Sequence, residues 1–469
     1  MACEKLQSLL LGKIILKGSE GYDTHIDCFN FRSARQRPLC IVNVASVEDV
    51  SKTLKALLNY PDTPFAIKSG GHSPHADDAN TDTGVLIDLK GLNTIAKSKA
   101  DEEVYELGAG GSWGKVYEAL SESKRAASGT RDTEVGIGGF ITGGGLTFFS
   151  PERGFGCDDV INMQVVLASG EIVDANANSN ADLFRSLKGG KSNFGIVTRV
   201  DIKTHSQDTI WGGAIMYPLS ETEDAQLEAF WNFKNSDGYD EHAQVELSFI
   251  SRGPNGSFVS NNHWYGRHFE RPASFEHFQK IQPQIMNSMR FETTANFAKE
   301  LSKFQPREQF SVFLTSTFIL KEKSVMKKLN SLWHTANASF ESVQGILSVF
   351  TYQQCPPPPP ADRPNAMGFP PDSKPHEDVI IIAWTIYWDL DSDSNMVRDK
   401  ARETMEAIDK TTKAEGMFHP FKYMNYAAPW QNVLKSYGDE AYAALKSVAE
   451  KYDPKGMFRK QGMHVGFKL

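Results

Sequence analysis

The first 205 residues alternate short apolar runs with glycine turns and amphipathic segments. Ser46 and Asp49 have the spacing of a capping box, and apolar residues then recur at helical spacing until Pro61, which predicts one helix. Further apolar runs bounded by turn residues predict strands over 65–67, 85–89, 104–107 and 196–202, and a hairpin over 163–175. This part of the chain is therefore predicted to be an α+β unit.

From about Trp211 the pattern changes, because glycine becomes rarer and aromatic-rich runs appear. Strands are predicted over 245–250, 310–318, 345–352 and 379–388, with amphipathic helices between them. Cys355 is followed by prolines 356–360 and a segment rich in Pro and Asp, which predicts an exposed loop between two strands. The tail predicts a helix over 437–451. A second α+β unit is expected.

Length and charge narrow the class of protein. At 469 residues the chain exceeds the size at which a single core stops growing, about 250 to 300 residues, so two structural units are expected. A formal charge of −8, with no run of five Lys and Arg, makes nucleic acid a poor candidate partner. The apolar stretch 9–16 is interrupted by Lys13 and lacks a small-residue cleavage site, which indicates neither a signal peptide nor a membrane anchor.

The cysteine and histidine content bears on location and on metals. Five cysteines contain no CxxC pair and cannot all pair with one another, which argues against a disulfide framework and fits a reducing compartment. An intracellular, cytoplasmic location follows as an expectation. Cys and His do not cluster at ligand spacing, so a metal site has little support.

Two glycine-rich loops are candidates for binding phosphate. Ser69-Gly70-Gly71-His72-Ser73 follows a predicted strand, and a denser glycine run extends over 135–145. Backbone amides in such turns can converge on anionic oxygen with no side chain in the way. One loop alone would indicate an ordinary tight turn, whereas two in one α+β unit favour a dinucleotide. A Rossmann site is disfavoured, because Trp113 and Ile141 occupy the position of its third glycine.

Four motifs, in matching order, resemble the berberine-bridge-enzyme-like FAD-linked oxidases of the vanillyl-alcohol-oxidase superfamily. The resemblance is strong over about 36–206 and again over 420–460. The motifs are Ile67-Lys68-Ser69-Gly70-Gly71-His72-Ser73, the glycine run with Gly143-Gly144-Gly145, Asn193-Phe194-Gly195-Ile196-Val197-Thr198, and the tail with Tyr423-Met424-Asn425-Tyr426 and Tyr452-Asp453-Pro454.

The resemblance implies an α+β protein with a two-part, PCMH-type FAD-binding domain. Residues 1–205, with a PCMH-type core over about 36–206, would form most of that domain, and residues 420–469 would return to it. Residues 206–419 would form an inserted substrate domain of antiparallel sheet flanked by helices. A small-molecule substrate would bind at the junction, with neither nucleic acid nor membrane as a partner.

The same resemblance implies a covalent cofactor. In this family the histidine of the Gly-Gly-His-Ser loop bonds to the methyl carbon on the benzenoid ring of FAD, and here that residue is His72. Many relatives add a second tether, a cysteine just before the Val-Gly-x-Gly-Gly stretch, but residues 129–134 contain none and Cys157 is expected to be a small buried residue. One covalent bond is therefore predicted. Phe140 also departs from relatives that place a histidine near the ribityl chain. The other implied FAD-binding residues are Ser69, Gly70, Gly71, Ser73, Val135, Gly136, Gly138, Gly139, Thr142, Gly143, Gly144, Gly195, Ile196, Val197, Asn425 and Tyr426.

The catalytic base is not fixed by any motif. Flavin oxidation of an alcohol, amine or activated C–H bond needs hydride transfer, plus a base if a hydroxyl or amine proton leaves. Glu246 should point to the opposite face of its strand from Val245 and Leu247, where a solvated surface is the expected environment. Trp384 and Trp388 either line a flat pocket or pack in the core. The candidates for the base are Glu246, Tyr352, Tyr387, Asp389 and Tyr426.

The leading hypothesis is an FAD-dependent oxidase that takes hydride from an alcohol or a ring-containing secondary metabolite and passes electrons to O2. Val135 favours this reading, because oxygen-reactive relatives tend to have valine there. An alternative is a flavin-containing cyclase or pericyclic catalyst with no net redox change. A third is a ligand-binding protein without chemistry, which the missing cysteine and Phe140 leave open and the intact His72 loop argues against.

Overall fold

The computed structural model describes residues 2–235, 238–369 and 379–469. The described strands are β1 (Ile14–Leu16), β2 (Cys40–Asn43), β3 (Phe65–Lys68), β4 (Val85–Asp88), β5 (Ile95–Lys97), β6 (Val104–Gly108), β7 (Arg125–Ala127), β8 (Val160–Val166), β9 (Ile172–Asn176), β10 (Ile196–Ser206), β11 (Ile210–Pro218), β12 (Ala243–Ser251), β13 (Ser257–Tyr265), β14 (Met286–Asn287), β15 (Arg290–Glu292), β16 (Phe310–Ile319), β17 (Leu347–Gln354), β18 (Val379–Trp388) and β19 (Phe418–His419). The α-helices are α1 (Ala2–Leu9), α2 (Tyr22–Asp27), α3 (Val47–Leu57), α4 (Trp113–Ser121), α5 (Ile137–Thr142), α6 (Ser150–Arg153), α7 (Ala181–Leu187), α8 (Leu219–Lys234), α9 (Glu276–Gln279), α10 (Thr294–Ser302), α11 (Ser324–Ala338), α12 (Ser394–Ala414), α13 (Val433–Ser436), α14 (Asp439–Tyr452) and α15 (Met457–Lys460).

The strands form three sheets. The first sheet has the order β1-β2-β4-β3, in which β2, β4 and β3 are parallel and β1 is antiparallel. The second is antiparallel with the order β5-β6-β10-β8-β9, and β7 pairs with β10. The third is antiparallel with the order β14-β11-β13-β12-β17-β18-β16-β19, and β15 pairs with β11. The predicted α+β class is confirmed.

The predicted helix after Ser46 shows why local sequence signals worked in the first sheet. Helix α3 begins at Val47, the Ser46 hydroxyl accepts from the Asp49 amide at 3.4 Å, and the Asp49 carboxylate accepts from the Ser46 amide at 3.1 Å. This reciprocal cap satisfies amides that the first helical turn leaves open. The helix then connects β2 to β3, which lie parallel on either side of β4 and therefore need a crossover connection.

The carboxyl tail packs back on the first part of the chain. The Phe65 amide donates to the Gln461 carbonyl at 3.0 Å, and the Met463 amide donates to the Phe65 carbonyl at 2.7 Å, so the tail extends the β3 edge. The Tyr452 hydroxyl donates to Asp182 at 2.8 Å, which joins α14 to α7. Strand pairing passes from the second sheet to the third between Ser206 and Ile210. The proposed boundaries at 205/206 and 419/420 remain predictions.

The third sheet has one apolar face and one polar face. Helices α8, α11 and α12 cover the first face, where Phe249, Phe350 and Trp384 are fully buried. Because side chains alternate along a strand, the residues between these point to the opposite face. That opposite face forms one wall of the cavity described below.

Two expectations about loops and cysteines need correction. The proline run lies between β17 and β18 as predicted, but Pro356 and Pro359 are buried rather than exposed, and residues 370–378 of this segment lie outside the described residues. Cys3 and Cys40 form a disulfide, so the cysteine count gives no argument for a reducing compartment. Searching the described residues yields no helix with both the length and the apolar character needed to cross a bilayer.

The disulfide predicts a redox-dependent stability. It joins residues 37 positions apart and ties α1 to the first sheet, so Cys3→Ser should lower the free energy of unfolding by about 2–4 kcal/mol in non-reducing buffer. Denaturant unfolding with and without dithiothreitol measures this. Cys28→Ser, which removes an exposed free thiol, is the control and should change stability by no more than about 0.5 kcal/mol. Equal stability of wild type and Cys3→Ser in non-reducing buffer would contradict the prediction.

Candidate active site

A cavity of about 670 Å³ collects residues from both glycine loops, the third sheet and the carboxyl tail. One part is lined by residues 69–75, 130–142 and 191–197. The other part is lined by the polar face of β12, β17 and β18. Residues 423–427 and 463–467 of the tail also contribute. The cavity therefore lies where the two glycine loops, the third sheet and the carboxyl tail meet.

The two glycine loops lie against each other with no space for side chains. A Cβ atom on Gly70 would lie 2.4 Å from the Gly136 nitrogen, and a Cβ on Gly136 would lie 2.1 Å from the Gly70 nitrogen. Ser69 fixes this contact, because its hydroxyl donates to the Ala109 carbonyl at 2.6 Å and accepts from the Gly138 amide at 3.1 Å. Gly71 has φ +71°, a left-handed conformation that favours glycine.

The loop over 70–73 presents unpaired backbone donors to the cavity. Across the described residues, the amides of Gly70, Gly71, His72 and Ser73 donate to no protein acceptor. Successive free amides in a glycine turn form a concave anion site. Gly139, on the first turn of α5, has nothing within 4 Å of where a Cβ would lie. These features fit the pyrophosphate and the elongated body of FAD.

The tail motif holds the glycine run in place. The Tyr423 hydroxyl accepts from the amides of Gly145 at 3.1 Å and Leu146 at 2.9 Å. The Asn425 amide group donates to the Phe140 carbonyl at 3.1 Å, and its oxygen lies 1.9 Å from where a Cβ on Gly143 would be. Glycine at position 143 is therefore required by Asn425.

His72 lies beside a carboxylate that sequence reasoning missed. Its Nε2 is 3.6 Å from Asp132 Oδ2, which is within ion-pair distance but too long for a hydrogen bond, and both atoms are buried. Burial alone would raise the pKa of Asp132, but His72 and the donors Glu134 N and Ser302 Oγ outweigh it and lower that pKa. The Phe31 ring packs edge-on against the imidazole, with centroids 5.4 Å apart.

A second charged pair lines the cavity near the amides of the 70–73 loop. Lys191 Nζ lies 2.8 Å from both oxygens of Asp78, and the Ser73 hydroxyl donates to Asp78 at 2.7 Å. Neighbouring His75 is neutral, because burial lowers its pKa to about 4, and its Nε2 lies 3.0 Å from the Ala427 carbonyl oxygen. This group joins the 69–75 loop to the tail.

The polar face of the third sheet places a buried ion pair in the cavity. Arg131 Nη1 lies 2.5 Å from Glu246 Oε1, and Arg131 Nη2 donates to Gln353 at 3.2 Å and to the Tyr426 hydroxyl at 3.0 Å. The Trp264 ring lies 5.6 Å from the guanidinium carbon. Burial opposes the charge of Arg131, but Glu246 and the neighbouring phenols outweigh it and raise its pKa. The guanidinium is therefore held charged inside the site.

The structure separates the candidate bases. Glu246, Tyr387 and Tyr426 line the cavity, so Glu246 faces the cavity and not the solvated surface that was expected. Tyr352 is on the apolar face, where its hydroxyl donates to Asn330 Oδ1 at 2.9 Å, and it is excluded by strand alternation. Asp389 follows β18 and accepts from Gln309 at 2.7 Å, outside the cavity.

Most of the predicted FAD residues are brought together. Gly143, Gly144 and Gly195 do not line the cavity. A Cβ atom on each would instead meet the side chain of Asn425, Met367 and Val165, respectively. Trp384 and Trp388 are core residues, and Cys157 is buried as predicted. None of the lining residues is a cysteine. Those that line the cavity are Ser69, Gly70, Gly71, His72, Ser73, Val135, Gly136, Gly138, Gly139, Thr142, Ile196, Val197, Asn425 and Tyr426.

Comparison with known proteins agrees with this geometry. Residues 38–176 match a family model described as an FAD binding domain. The FAD-dependent monooxygenase sdcF of Emericella nidulans is 30% identical, over 100% of this chain and 98% of the relative. At this identity and coverage the relationship extends to the whole chain.

Solved structures share the fold. The 6-hydroxy-D-nicotine oxidase of Arthrobacter nicotinovorans has a TM-score of 0.79 and 18% identity, over 96% of this chain and 97% of its own. The glucooligosaccharide oxidase of Acremonium strictum, a protein with a 6-S-cysteinyl, 8α-N1-histidyl FAD, has a TM-score of 0.77 and 17% identity, over 100% and 99%.

The predicted resemblance and the predicted cofactor are confirmed. The non-redox alternative is not favoured, since the relative is named a monooxygenase and the structural neighbours are named oxidases. The free amides of the glycine loop, the FAD-binding domain match and the full-length relative lead to one conclusion. This chain belongs to the family of FAD-dependent oxidoreductases that includes sdcF, and it has the fold of the FAD-linked oxidases of known structure.

Proposed function

We propose that this FAD-dependent oxidoreductase removes hydride from a ring-containing alcohol or related metabolite bound against the third sheet. The observation that carries the proposal is a shared chamber, in which the free amides of residues 70–73 and the Arg131–Glu246 pair line one cavity. FAD, when bound, supplies the hydride acceptor. The side chains of the protein must then hold the substrate and take the proton that leaves its hydroxyl.

Glu246 is the proposed base. Four carboxylates line the cavity and each has a partner, namely Lys191 for Asp78, Arg290 for Glu300, His72 for Asp132 and Arg131 for Glu246, but Glu246 lies on the polar face of the third sheet, where the substrate is proposed to bind. Glu246 is held on the substrate wall by Arg131, and Asn262 donates to its other oxygen at 3.3 Å. A carboxylate fixed in this way is oriented to receive a substrate proton.

The two cavity tyrosines have a different role. Burial raises the pKa of both Tyr387 and Tyr426 above the usual phenol value, so both remain protonated near neutral pH. They can donate hydrogen bonds but are poor bases there. Because the Tyr426 oxygen already accepts from Arg131, its own O–H is available for a substrate oxygen.

The wall of the cavity indicates the substrate class. Phe258, Trp264, Phe313, Leu347 and Val349 give it a largely apolar and aromatic surface. Gln353 also lines the cavity, and its side chain is buried. Its Nε2 has no hydrogen-bond partner among the described residues, so it can donate to the substrate alongside Tyr426.

Together these features favour a flat ring system that bears an acceptor oxygen. Since Glu246 already balances the charge of Arg131, a neutral carbonyl or hydroxyl suits the donors better than a free carboxylate.

We further propose that His72 forms the single covalent bond to FAD and that dioxygen accepts the electrons. The 8α-N1-histidyl FAD of the glucooligosaccharide oxidase and the position of His72 on the cavity wall support the bond. Val135, which also lines the cavity, supports dioxygen as the acceptor. The alcohol would become a carbonyl compound while dioxygen becomes hydrogen peroxide.

A second candidate is monooxygenation, which the name of the relative sdcF favours. In that case one atom of dioxygen would enter the product and the other would leave as water. A reductant would then be required, whereas the oxidase reaction needs none. The two candidates therefore differ in the fate of oxygen.

The first prediction concerns the flavin. Purified wild type should be yellow, and acid precipitation should leave the colour in the pellet because the bond to His72 survives unfolding. His72→Ala should bind FAD when folded and release it to the supernatant. Colour released from wild type would refute the covalent bond, and colourless protein would contradict FAD binding.

The second prediction concerns the base. Glu246→Gln should lower the rate of anaerobic flavin reduction by about a hundredfold or more, because a general base contributes about 10² to 10⁴ in rate. Stopped-flow bleaching by a benzylic alcohol that reduces wild type measures it. Asp389→Asn, a carboxylate outside the cavity, is the control and should stay within about twofold. Equal rates for Glu246→Gln and wild type, at equal flavin content, would remove Glu246 from the mechanism.

The third prediction separates the two reactions. With ¹⁸O₂ and the same alcohol, an oxidase should give unlabelled carbonyl product and one labelled hydrogen peroxide per turnover. Mass spectrometry of the product and a peroxide assay read both quantities. Label in the product, together with a need for added reductant, would instead support monooxygenation.

A further inference from the structure

We propose that Asp132 is a positioning residue for the covalent attachment of FAD, acting through His72. The inference rests on the proposed bond between His72 and FAD. It assigns a role to a carboxylate in residues 129–134, the stretch in which no cysteine is available for a second tether. Asp132 would orient the imidazole so that the correct nitrogen forms the bond.

The geometry leaves one oxygen of Asp132 for this role. Oδ1 accepts from the Glu134 amide at 2.8 Å and from the Ser302 hydroxyl at 2.9 Å. Oδ2 has no hydrogen-bond partner among the described residues, is buried, and lies 3.6 Å from His72 Nε2. The contacts with Glu134 and Ser302 therefore account for one oxygen only. The other faces the histidine across a short gap.

The remaining contacts of His72 single out its second ring nitrogen. The Phe31 edge packs on the ring, and Nε2 faces the carboxylate. Nδ1 is in no hydrogen bond with any described residue. In neutral imidazole one nitrogen carries the proton and the other the lone pair, and a carboxylate beside one nitrogen draws the proton to it. Asp132 therefore favours a proton on Nε2 and a nucleophilic lone pair on Nδ1.

The attachment step balances with dioxygen as the oxidant. A bond forms between Nδ1 and the methyl carbon of the flavin, and one C–H bond of that methyl group breaks. One hydrogen leaves the methyl group and one leaves the imidazole as protons, while the electron pair set free reduces the ring. Dioxygen takes up this pair and two protons as hydrogen peroxide. During bond formation the imidazole gains positive charge, which the ionised Asp132 stabilises across 3.6 Å.

The contact between the two glycine loops fixes the position of Asp132 relative to His72. Asp132 is three residues before Val135, whose loop is locked to the His72 loop by the Gly70–Gly136 contact. Arg131, the preceding residue, is bound to Glu246 and Tyr426 and faces the substrate wall. Arg131 and Asp132 are adjacent and opposite in charge, but Arg131 contacts Glu246 and Asp132 faces His72. Asp132 is therefore not needed to balance the charge of Arg131.

The test compares covalent incorporation of FAD in full-length wild type, Asp132→Asn, Asp132→Glu and Glu134→Gln. Each protein is produced as apoprotein in riboflavin-limited cells, so that no FAD is attached at the start, and is then incubated with FAD in air. Intact mass after denaturation follows the gain of one FAD less two hydrogens. We expect Asp132→Asn to incorporate FAD at least about tenfold more slowly, because loss of a carboxylate that orients a histidine typically costs that much or more.

The controls separate positioning from folding. Asp132→Glu keeps a carboxylate and should recover part of the rate, while Glu134→Gln removes a half-exposed carboxylate two residues away and should match wild type. Non-covalent FAD affinity of Asp132→Asn, measured by fluorescence quenching before the bond forms, should stay within about threefold, since a purely structural role would weaken it. If Asp132→Asn does not fold, Asp132→Ser replaces it in the same comparison.

Each outcome bears on one claim. Incorporation by Asp132→Asn or Asp132→Ser at the wild-type rate would overturn the role of Asp132 while leaving the covalent bond intact. Loss of FAD affinity in proportion to the loss of rate would also overturn it, because Asp132 would then only support the fold. A wild type with no mass gain, like His72→Ala, would instead refute the covalent bond on which the inference rests.

Discussion

Gly70 and Gly136 approach each other so closely that neither position has room for a Cβ atom. This single contact makes two loops, separated by more than sixty residues in the sequence, behave as one rigid wall. On one side it places residues 70–73 along the cavity, and their amides have no protein acceptor among the described residues. On the other it brings Asp132 opposite His72. FAD binding and the proposed attachment through His72 therefore depend on the same pair of glycines.

The sequence predicted this part of the molecule well because its signals are local. A capping box, glycine turns and short apolar runs each specify a conformation within a few residues, and α3, β3, β4 and β6 formed where they indicated. Of the 17 FAD-binding residues proposed from the motifs, 14 line the cavity. Gly143, Gly144 and Gly195 were assigned to the cofactor because a motif does not distinguish a glycine that faces a ligand from one that makes room for a neighbouring side chain.

The substrate wall was harder to predict because strand alternation shows which residues share a face of the strand but not what that face contacts. The pattern placed Glu246 opposite Val245 and Leu247 but did not show whether its face met water or a cavity. Tyr352 and Gln353 are neighbours in β17 and point to opposite faces, so the tyrosine is in the core and the unnoticed glutamine is in the site. The covering helices α8, α11 and α12 decide this, and they are long-range contacts.

The charged environment of Arg131 could not be predicted from local sequence either. It bonds to Gln353, 222 residues away, and to Tyr426, 295 residues away, so no window of sequence contains its environment. The buried pair with Glu246 also has no evident value for stability. Removing two charges from water costs several kcal/mol for each ion, and an apolar pair of similar volume is often equally or more stable. Packing alone would serve stability at least as well, whereas the proposed base Glu246 and the proposed donor Tyr426 are both held by the guanidinium. The pair is therefore better explained by the proposed chemistry of the cavity than by the folding of the chain.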